Sequence, residues 1–510
     1  MVSTELLIKE IKLMKKLDAL LHKVYGTTPG DGNLQPKEAL AYGVAGFGQN
    51  FICTIIGSYL TIFLTDALLF GGVQKGSLFG ALDGATAVAF LMLGVRIFDA
   101  FNDPIMGSVV DRTRTKWGKC RPFLKWMALP IAIMTIACFL PLQSKSLATF
   151  IIISVIYTIW SVTYTVADVP YWGLSTCMTN NTVVRGNLLT VTRLLCTLGA
   201  GIVTVFVPVI TSAVTAKYRD DAGNVLPEFI QANADTLKYT YFICALVLAI
   251  VAIPMFFYGF KHTKERYTSE DNPPSLAHNL KLLFKNDQLL LIVISGILGG
   301  ARMVYTYTGG LYFAKYVLKD EGLYGIITLM VVPGGLVASL LVPWMTKKFT
   351  KKWAYTGVHI FGAVVMFAMY FIGYDAPWKL VVCAIGLVLL GIPQGVNNII
   401  TYAMIGDTVD YLEWKTGERG EGICFAMQTL INKVGMAVGA FIGVMAFSWA
   451  GINPEMTPAI QPEGEQLLWN VLILAGAISM VGTVVPMFFY KITEKRQAEM
   501  VAEIEARKSK

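Results

Sequence analysis

Long apolar segments recur along almost the whole chain and limit the folds that it can adopt. Runs of about 18 or more mostly apolar residues are long enough to cross a bilayer as helices. Twelve such spans are predicted, near residues 40–69, 78–109, 122–142, 148–177, 187–213, 239–259, 289–317, 323–345, 354–373, 379–406, 422–449 and 467–490. Charged residues make up only 15% of the chain, whereas a soluble domain carries roughly 25%. The sequence therefore predicts an all-α, multi-pass membrane protein and disfavours a soluble enzyme, a disordered chain and a disulfide scaffold.

The basic residues are distributed unevenly between the segments that connect these spans. With the amino terminus inside, thirty of the 42 Lys and Arg residues lie on cytoplasmic segments and eight on outside segments. Because Lys and Arg are retained in the cytoplasm, both termini are predicted to be cytoplasmic, in the cell (inner) membrane. The same distribution accounts for the net charge of +8, so no nucleic-acid partner is expected.

The spans divide into two groups of six. Residues 261–288 form the longest polar connection, and the basic loop after span 2 is matched by a similar loop after span 8. Two six-helix halves related by an axis along the membrane normal are the layout of the major facilitator fold. We therefore expect a cytoplasmic amphipathic segment over 1–37, halves over 38–260 and 289–490, a cytoplasmic linker over 261–288 and a cytoplasmic tail over 491–510.

Seven ionisable residues lie well inside the apolar spans, away from their ends. They are Arg96, Asp99 and Asp103 in span 2, Asp168 in span 4, Arg193 in span 5, Arg302 in span 7 and Lys433 in span 11. Each costs about 2.5–3.5 kcal/mol at mid-bilayer, so they are expected to converge on an interior, water-filled cavity. Without Arg302 there are three basic and three acidic residues, which makes the cavity electrically balanced.

Span 2 contains a candidate cation site. Arg96, Asp99 and Asp103 lie within about 60° of one another on one helical face, since each residue turns the helix by about 100°. Two carboxylates one turn apart offer hard oxygen ligands for Na⁺ or hold a shared proton, and Arg96 reduces their mutual repulsion. Pro104 frees a backbone carbonyl that adds a further oxygen. Because a pair doubles the burial cost, a functional role is favoured over a structural one.

Span 4 contains a candidate sugar site. One stripe of this helix presents hydroxyls, a carboxylate and an indole, from Tyr164, Thr165, Asp168 and Trp172. A carboxylate beside an aromatic ring suits a sugar, whose hydroxyls bond to the acid while its ring packs on the indole. Arg193 and Lys433 are placed to neutralise the carboxylates.

The remaining polar residues point to no other chemistry. For Arg302, pairing between helices and substrate binding remain equally open. The eight cysteines and four histidines are dispersed without the spacing of a metal site, so the cysteines are interpreted as reduced, small hydrophobic residues. No cofactor is expected. An enzyme is disfavoured because no His/Cys cluster, Ser–His pair or phosphate-binding loop accompanies the carboxylates.

Three segments carry a family resemblance: RIFDAFNDPIMGSVVDRTRTKWGKCRPF from Arg96, YTVADVPYWGL from Tyr164 and GDTVDYLEWKTGERGEG from Gly406. From about Tyr42 to the last span, the chain resembles the glycoside–pentoside–hexuronide:cation symporter family of the major facilitator superfamily. The resemblance implies a cation site made by Asp99, Asp103, Asn102 and Thr165. It implies a sugar site that contains Asp168, Tyr164, Trp172 and Arg193, with Lys433 linking the two sites.

The same resemblance implies an inner gate and shows two departures. Asp407, Asp410 and Glu413 would belong to the gate and pair with Arg185 or with the basic loop after span 2. Where the family has a basic–acidic pair in the first span, this chain has Gln49 and Asn50, and Asn398 replaces a span-10 tryptophan. Asparagine still hydrogen-bonds a hydroxyl, but it removes one negative charge from the sugar site.

These features predict a transporter that moves a glycoside or related sugar together with Na⁺ or H⁺ by alternating access. Its expected partners are a small sugar, a monovalent cation and the lipid bilayer, and it is expected to act as a monomer. The lost acid and Arg302 suggest one alternative, a symporter of an acidic sugar such as a hexuronide. A carrier of lipid or of another solute on the same fold is a further alternative.

Overall fold

The computed structural model describes residues 22–25, 27, 34–179, 181–267, 276–306, 308–418 and 421–508. The α-helices, in chain order, are α1 (Pro36–Ile62), α2 (Gly84–Arg112), α3 (Arg121–Cys138), α4 (Leu147–Met178), α5 (Thr182–Thr215), α6 (Ile230–His262), α7 (Leu276–Lys285), α8 (Asp287–Leu298), α9 (Thr308–Tyr312), α10 (Leu323–Ile372), α11 (Pro377–Thr416), α12 (Glu421–Trp449), α13 (Pro462–Phe489) and α14 (Glu494–Lys508). The predicted amphipathic segment over 1–37 lies mostly outside the described residues.

Ten helices of the described chain are long and apolar enough to cross a membrane, so the chain is a multi-pass membrane protein. The predicted spans 1–6 correspond to α1–α6, and spans 10–12 to α11–α13. Spans 8 and 9 both lie in α10, which bends at Thr350, where φ is 63° and ψ is 156°.

The predicted seventh span is instead divided into α8, a 3₁₀ segment over Gly300–Thr306, α9 and a π turn over Phe313–Val317. Glycine pairs at 299–300 and 309–310 flank this interruption, and glycine weakens a helix.

Helices of the first and second groups of six meet along two seams. Helix α2 packs against α12, and α5 packs against α10. One continuous apolar core includes Tyr59 and Ile55 of α1 as well as Tyr312 and Phe447 from the second group. The seams place the polar residues of α2 opposite those of α12. The exact boundaries of the two halves stay a prediction.

Buried charged groups join the two groups of helices at one end of the bundle. We call this end, which carries the loops over 68–83, 216–229 and 318–322, the outer face, following the predicted topology. Asp66, in the π turn over Phe63–Ala67 that follows α1, is 2% exposed. It accepts hydrogen bonds from Lys315 Nζ, over 2.5 Å, and from the Tyr316 hydroxyl. Glu321 is completely buried and accepts from Thr211 and Tyr241, each over 3.0 Å. These contacts hold the outer face closed.

Small residues allow α10 and α11 to touch through their backbones. A Cβ atom on Gly334 would lie 1.8 Å from the carbonyl oxygen of Val388, and one on Gly391 would lie 2.1 Å from that of Val331. Real Cβ atoms do not approach backbone this closely, so only glycine fits at these two positions. Small residues at such crossings are typical of packed membrane helices. Lipid tails are as apolar as the side chains, so helices associate through van der Waals contacts between closely packed backbones and not through the hydrophobic effect.

Replacing Gly391 with Ala is therefore expected to lower thermal stability. The added methyl group forces α10 and α11 apart, and overpacking of this kind costs about 1–3 kcal/mol. The midpoint of thermal unfolding in detergent measures this effect. Gly357→Ala in α10 is the matched control, because a Cβ there meets no atom within 4 Å. Equal midpoints for the two variants would contradict the proposed close contact.

Candidate functional site

Helices α2 and α4 bring the predicted cation ligands together. Ser161 donates a hydrogen bond to Asp99 Oδ1, and Thr165 Oγ1 donates to Asp103 Oδ1 over 3.1 Å. Residues four apart lie on the same face of a helix, so two hydroxyls of α4 match two carboxylates of α2. Asp99 is completely buried, and the side chain of Asp103 is 14% exposed. Carboxylate and hydroxyl oxygens in this arrangement are chemically suited to Na⁺ or to a proton.

Each of these carboxylates also faces a basic side chain. Arg96 Nη1 lies 3.6 Å from Asp99 Oδ2, and Lys433 Nζ lies 2.7 Å from Asp103 Oδ1. Arg96 and Lys433 are both buried. Because a buried charge is tolerated only when it is paired, the two ion pairs explain how four ionised groups lie together at this depth. Lys433 belongs to α12, so its ion pair joins the two predicted halves.

A cavity lies beside Arg96 at the seam between α2 and α12. Its lining includes the side chains of Thr61 and Tyr157, and Met436 and Ala437 of α12. Hydroxyl groups and a guanidinium in the wall of a cavity make it suitable for water. Arg96 therefore borders a space between the two groups of helices. That the other charged residues converge on a water-filled cavity stays a prediction.

The predicted sugar-site acid, Asp168 of α4, is held by three neutral donors. Gln49 Nε2 donates to Asp168 Oδ1 over 2.5 Å, Trp172 Nε1 over 3.0 Å and the Tyr164 hydroxyl over 3.4 Å. All three donors use the same carboxylate oxygen. The second oxygen of Asp168 is not engaged by them, which leaves it able to accept a hydrogen bond from a sugar hydroxyl. Gln49 thus orients the carboxylate from α1.

Arg193 of α5 lies on the other side of Trp172. Its guanidinium carbon is 4.7 Å from the centroid of the Trp172 ring, a cation–π distance. Its Nη2 atom donates a hydrogen bond to the Tyr402 hydroxyl of α11 over 3.1 Å. Trp172 therefore has an acid at its indole nitrogen and a cation over its ring face. The arrangement offers hydrogen-bond acceptors, donors and an aromatic surface to one small molecule.

Three further predicted residues have different surroundings. Asn50 Nδ2 donates to the carbonyl of Gly46 in its own helix over 2.9 Å. The amide nitrogen of Asn102 is buried, with no hydrogen-bond partner in the described part of the chain. Arg302 Nη1 donates to the carbonyl of Gly299 over 2.7 Å, within the interrupted seventh span. The binding roles of these three residues stay predictions.

Two acids of the predicted inner gate contact residues of their own half. Lys351 Nζ lies 2.6 Å from Asp407 Oδ1 and 2.5 Å from Asp407 Oδ2, and Gln497 Nε2 of α14 donates to Asp410 Oδ2 over 2.9 Å. Lys351 reaches Asp407 because α10 turns at the preceding residue, Thr350. The terminal helix α14 thereby docks beneath α11.

This arrangement corrects one expectation for the gate. The structure pairs Asp407 with Lys351 and not with Arg185 or the basic loop after span 2, because the turn of α10 brings a lysine of the same half closer. Glu413 is buried in α11, and Arg185 is half-buried near the start of α5. That these residues form a gate stays a prediction.

The fold also brings together two cysteines that are far apart in sequence. One ligand atom each from Cys120, Cys177 and Glu265 lies within 4.8 Å of the others. The Glu265 carboxylate already accepts hydrogen bonds from three successive backbone N–H groups, those of residues 119–121 at the start of α3. Capping of a helix amino terminus by a carboxylate accounts for this acid.

Sequence reasoning missed two members of the site. Ser161, the partner of Asp99, lies one turn before Thr165, so helical spacing from a known ligand was the available signal. Tyr402, the partner of Arg193, had no such signal, because its contact joins α11 to α5 across the bundle. Local periodicity identifies neighbours on one helix, whereas contacts between distant helices depend on packing.

Comparison with known proteins agrees with this fold. A family described as MFS/sugar transport protein matches residues 41–494. The chain is 28% identical to the glucuronide carrier protein homolog of Escherichia coli (strain K12), over 92% of this chain and 96% of that protein. It is 25% identical to the isoprimeverose transporter of Lactiplantibacillus pentosus, over 93% and 92% of the two chains. The crystal structure of a D-xylose-proton symporter superposes with a TM-score of 0.57 at 13% identity, covering 88% of this chain and 96% of that one.

The chain therefore belongs to the MFS/sugar transport protein family and has the major facilitator fold. The family match spans nearly all of the described helices, so it includes α2, α4 and α12 together. This confirms the family resemblance and the fold class predicted from the sequence.

Replacing Lys433 with Met is expected to destabilise the protein. The substitution leaves Asp103 without its cation, and breaking a buried ion pair from one side costs about 3 kcal/mol. The double variant Asp103→Asn/Lys433→Met removes both charges, so part of the lost stability returns. The midpoint of thermal unfolding in detergent is measured for the single and the double variant.

Lys379→Met, which affects an ion pair with the exposed Asp375, is the control, and its expected change in the free energy of unfolding is below about 0.5 kcal/mol. Equal losses in the single and double variants would disprove the coupling.

Proposed function

We propose that the protein is a secondary active transporter that carries a sugar together with Na⁺ or H⁺ by alternating access. The observation that carries this proposal is the contact of Asp103 with Lys433 and Thr165. It joins the proposed cation ligand of α2 to α12 of the second half, and Thr165 lies only one turn of α4 from Asp168. Because the proposed ion and sugar ligands share one helical turn, each bound ligand acts on the same part of α4, and the coupling between their affinities is reciprocal.

The cation acts on the Asp103–Lys433 ion pair. Na⁺ or a proton at Asp103 competes with Lys433 for the same oxygen and weakens the bond that joins α2 to α12. The cavity charges balance without the cation, so its binding adds one net positive charge. Each elementary charge that crosses 100 mV contributes about 2.3 kcal/mol, which drives uptake with the membrane potential.

The sugar binds between Asp168 and Arg193. Its hydroxyl groups donate to the free oxygen of Asp168 and accept from Arg193, and its ring packs on Trp172. Gln49 holds the acid in position from α1. A lipid carrier on the same fold is less well supported, because Asp168 and Arg193 offer charged, hydrogen-bonding groups, which suit a polar molecule better than a lipid chain.

The remaining properties follow from the class of protein and from the charge distribution. We propose that the protein resides in the inner (cell) membrane as a monomer, with both termini in the cytoplasm. It catalyses no chemical reaction and carries no cofactor besides the coupling ion. Asp407, Asp410, Glu413 and Arg185 serve as the inner gate when the halves approach each other on the cytoplasmic side.

Asp103→Asn is expected to abolish cation-stimulated sugar uptake. The amide keeps the size of the carboxylate but removes the charge that binds the cation, so stimulation falls by at least about tenfold. Counterflow of a sugar panel in proteoliposomes, with and without Na⁺ and at two pH values, measures the effect. Asp375→Asn, an exposed acid at the outer face, is the matched control and retains stimulation. Unchanged stimulation in Asp103→Asn would disprove the cation site.

Reporter fusions test the proposed orientation. Green fluorescent protein fused after residue 510 is expected to fluoresce, since the carboxyl terminus is cytoplasmic. Alkaline phosphatase inserted at residue 221, in the loop between α5 and α6, is expected to be active, because this enzyme needs the oxidising periplasm. An active phosphatase at residue 510 would contradict the orientation.

A further inference from the structure

Cys120 and Cys177 meet in the fold although they lie far apart in sequence. Cys120 is the N-cap residue of α3 and is 1% exposed, and Cys177 lies in the last turn of α4 and is 2% exposed. Their sulfur atoms and one carboxylate oxygen of Glu265 all lie within 4.8 Å of one another. Ligand atoms around a tetrahedral Zn²⁺ are roughly 3.5–3.8 Å apart, given Zn–S bonds of about 2.3 Å and Zn–O bonds of about 2.0–2.2 Å. Small side-chain rotations therefore suffice to place these three atoms around one metal ion.

The Glu265 carboxylate keeps ligand capacity beside its capping role. Its Oε1 atom accepts hydrogen bonds from the backbone N–H groups of Cys120 and Arg121, whereas its Oε2 atom accepts one described bond, from Lys119 over 2.9 Å. A carboxylate oxygen has two lone-pair directions, so Oε2 retains one for a metal ion. The same hydrogen bonds fix the carboxylate beside the two sulfur atoms.

The start of α3 offsets the negative charge of such a ligand set. Two thiolates and a carboxylate bring three negative charges to a divalent ion, which leaves one in excess. The amino terminus of a helix carries a partial positive charge, and both Cys120 and the Glu265 carboxylate contact that of α3. The surroundings therefore suit the ionised side chains that bind a metal ion.

The chemistry of the donors indicates which metal fits. Thiolate sulfur is a soft ligand that selects Zn²⁺ or Cu⁺ over Na⁺, Mg²⁺ and Ca²⁺, and a carboxylate oxygen beside two sulfurs favours Zn²⁺. The site lies at the end of the bundle opposite the outer face, which the predicted topology assigns to the cytoplasm. Thiols stay reduced there, so metal binding is favoured over a disulfide.

The segment after α6 gives the site a structural consequence. The backbone N–H groups of Arg266 and Tyr267 both donate to the carbonyl of Cys177, over 2.8 and 3.0 Å. Arg266 Nη2 also donates to Glu38 Oε1 of α1 over 2.9 Å. Glu265 thus belongs to a segment that crosses the ends of α1, α3 and α4 and continues into the predicted linker between the halves. A metal ion at this point fastens the start of that linker to two helices.

We propose that Cys120, Cys177 and Glu265 form a structural Zn²⁺ site, with water as the fourth ligand, that anchors the linker between the halves to α3 and α4. On binding, each thiol releases its proton to solvent and no electron is transferred. The bound ion stabilises the first half and takes no part in ion coupling. Its ligands come from three separate segments, so no motif spacing in the sequence reveals the site.

Zinc binding by the reduced, full-length chain tests this site. The chain is purified without a histidine tag, and Zn²⁺ is added in detergent in competition with a chromophoric chelator. We expect about one Zn²⁺ per chain, two sulfur neighbours in the X-ray absorption spectrum of the bound zinc, and a higher midpoint of thermal unfolding with Zn²⁺ than without it. Cys120→Ala and Cys177→Ala are each expected to lower zinc affinity at least about 100-fold, because even an outer-shell partner contributes about 10–100-fold.

Cys138→Ala is the matched control. Cys138 is the last residue of α3, is completely buried and belongs to no such cluster among the described residues, so zinc affinity is expected to stay as in the wild type. Unchanged affinity in both Cys120→Ala and Cys177→Ala, or bound zinc without sulfur neighbours, would overturn the site. So would a lack of saturable binding by the reduced wild type, a measurement that does not depend on whether a variant folds. None of these measurements involves sugar uptake, so a negative result leaves the proposed function standing.

Discussion

The ion pair between Asp103 and Lys433 is the interaction on which the centre of this molecule depends. Neither charge is stable alone inside an apolar bundle, so each helix needs the other to bury its charged residue. Lys433 is carried by α12 and Asp103 by α2, and these helices form one of the two seams. In the proposed transport cycle, Asp103 is also the cation ligand, so the ion pair would make ion binding depend on the relative position of the halves.

A second buried ion pair joins the two halves at the outer face. Asp66 and Lys315 are both buried, and they too come from opposite sides of the seam. Opening this face requires that the two charges separate and become hydrated. In an alternating-access transporter, contacts of this kind at one face exchange for contacts at the other, and substrate binding at mid-depth shifts the balance between them.

Much of the architecture could be predicted because the bilayer imposes a simple rule. Of the twelve spans predicted from length and hydropathy, eleven correspond to the ten apolar helices of the described residues, because a turn at Thr350 places two spans in α10. The seventh span was the exception, since its glycine pairs interrupt a run that hydropathy alone assigns to one helix. Periodicity also grouped Asp99 with Asp103 and Tyr164 with Asp168, because residues on one helix keep their mutual angle whatever the packing.

The sequence by itself indicated that Asp99, Asp168 and Lys433 are interior, since the cost of burying a charge in lipid depends on residue type and depth. It did not identify the buried pair of Asp66 and Lys315. It could not determine partners on other helices. The contacts of Ser161 with Asp99, Gln49 with Asp168, Lys351 with Asp407 and Arg193 with Tyr402 were decided by the tertiary structure. Each of these distances depends on how two helices are rotated and spaced, and that is set by the packing of many side chains at once.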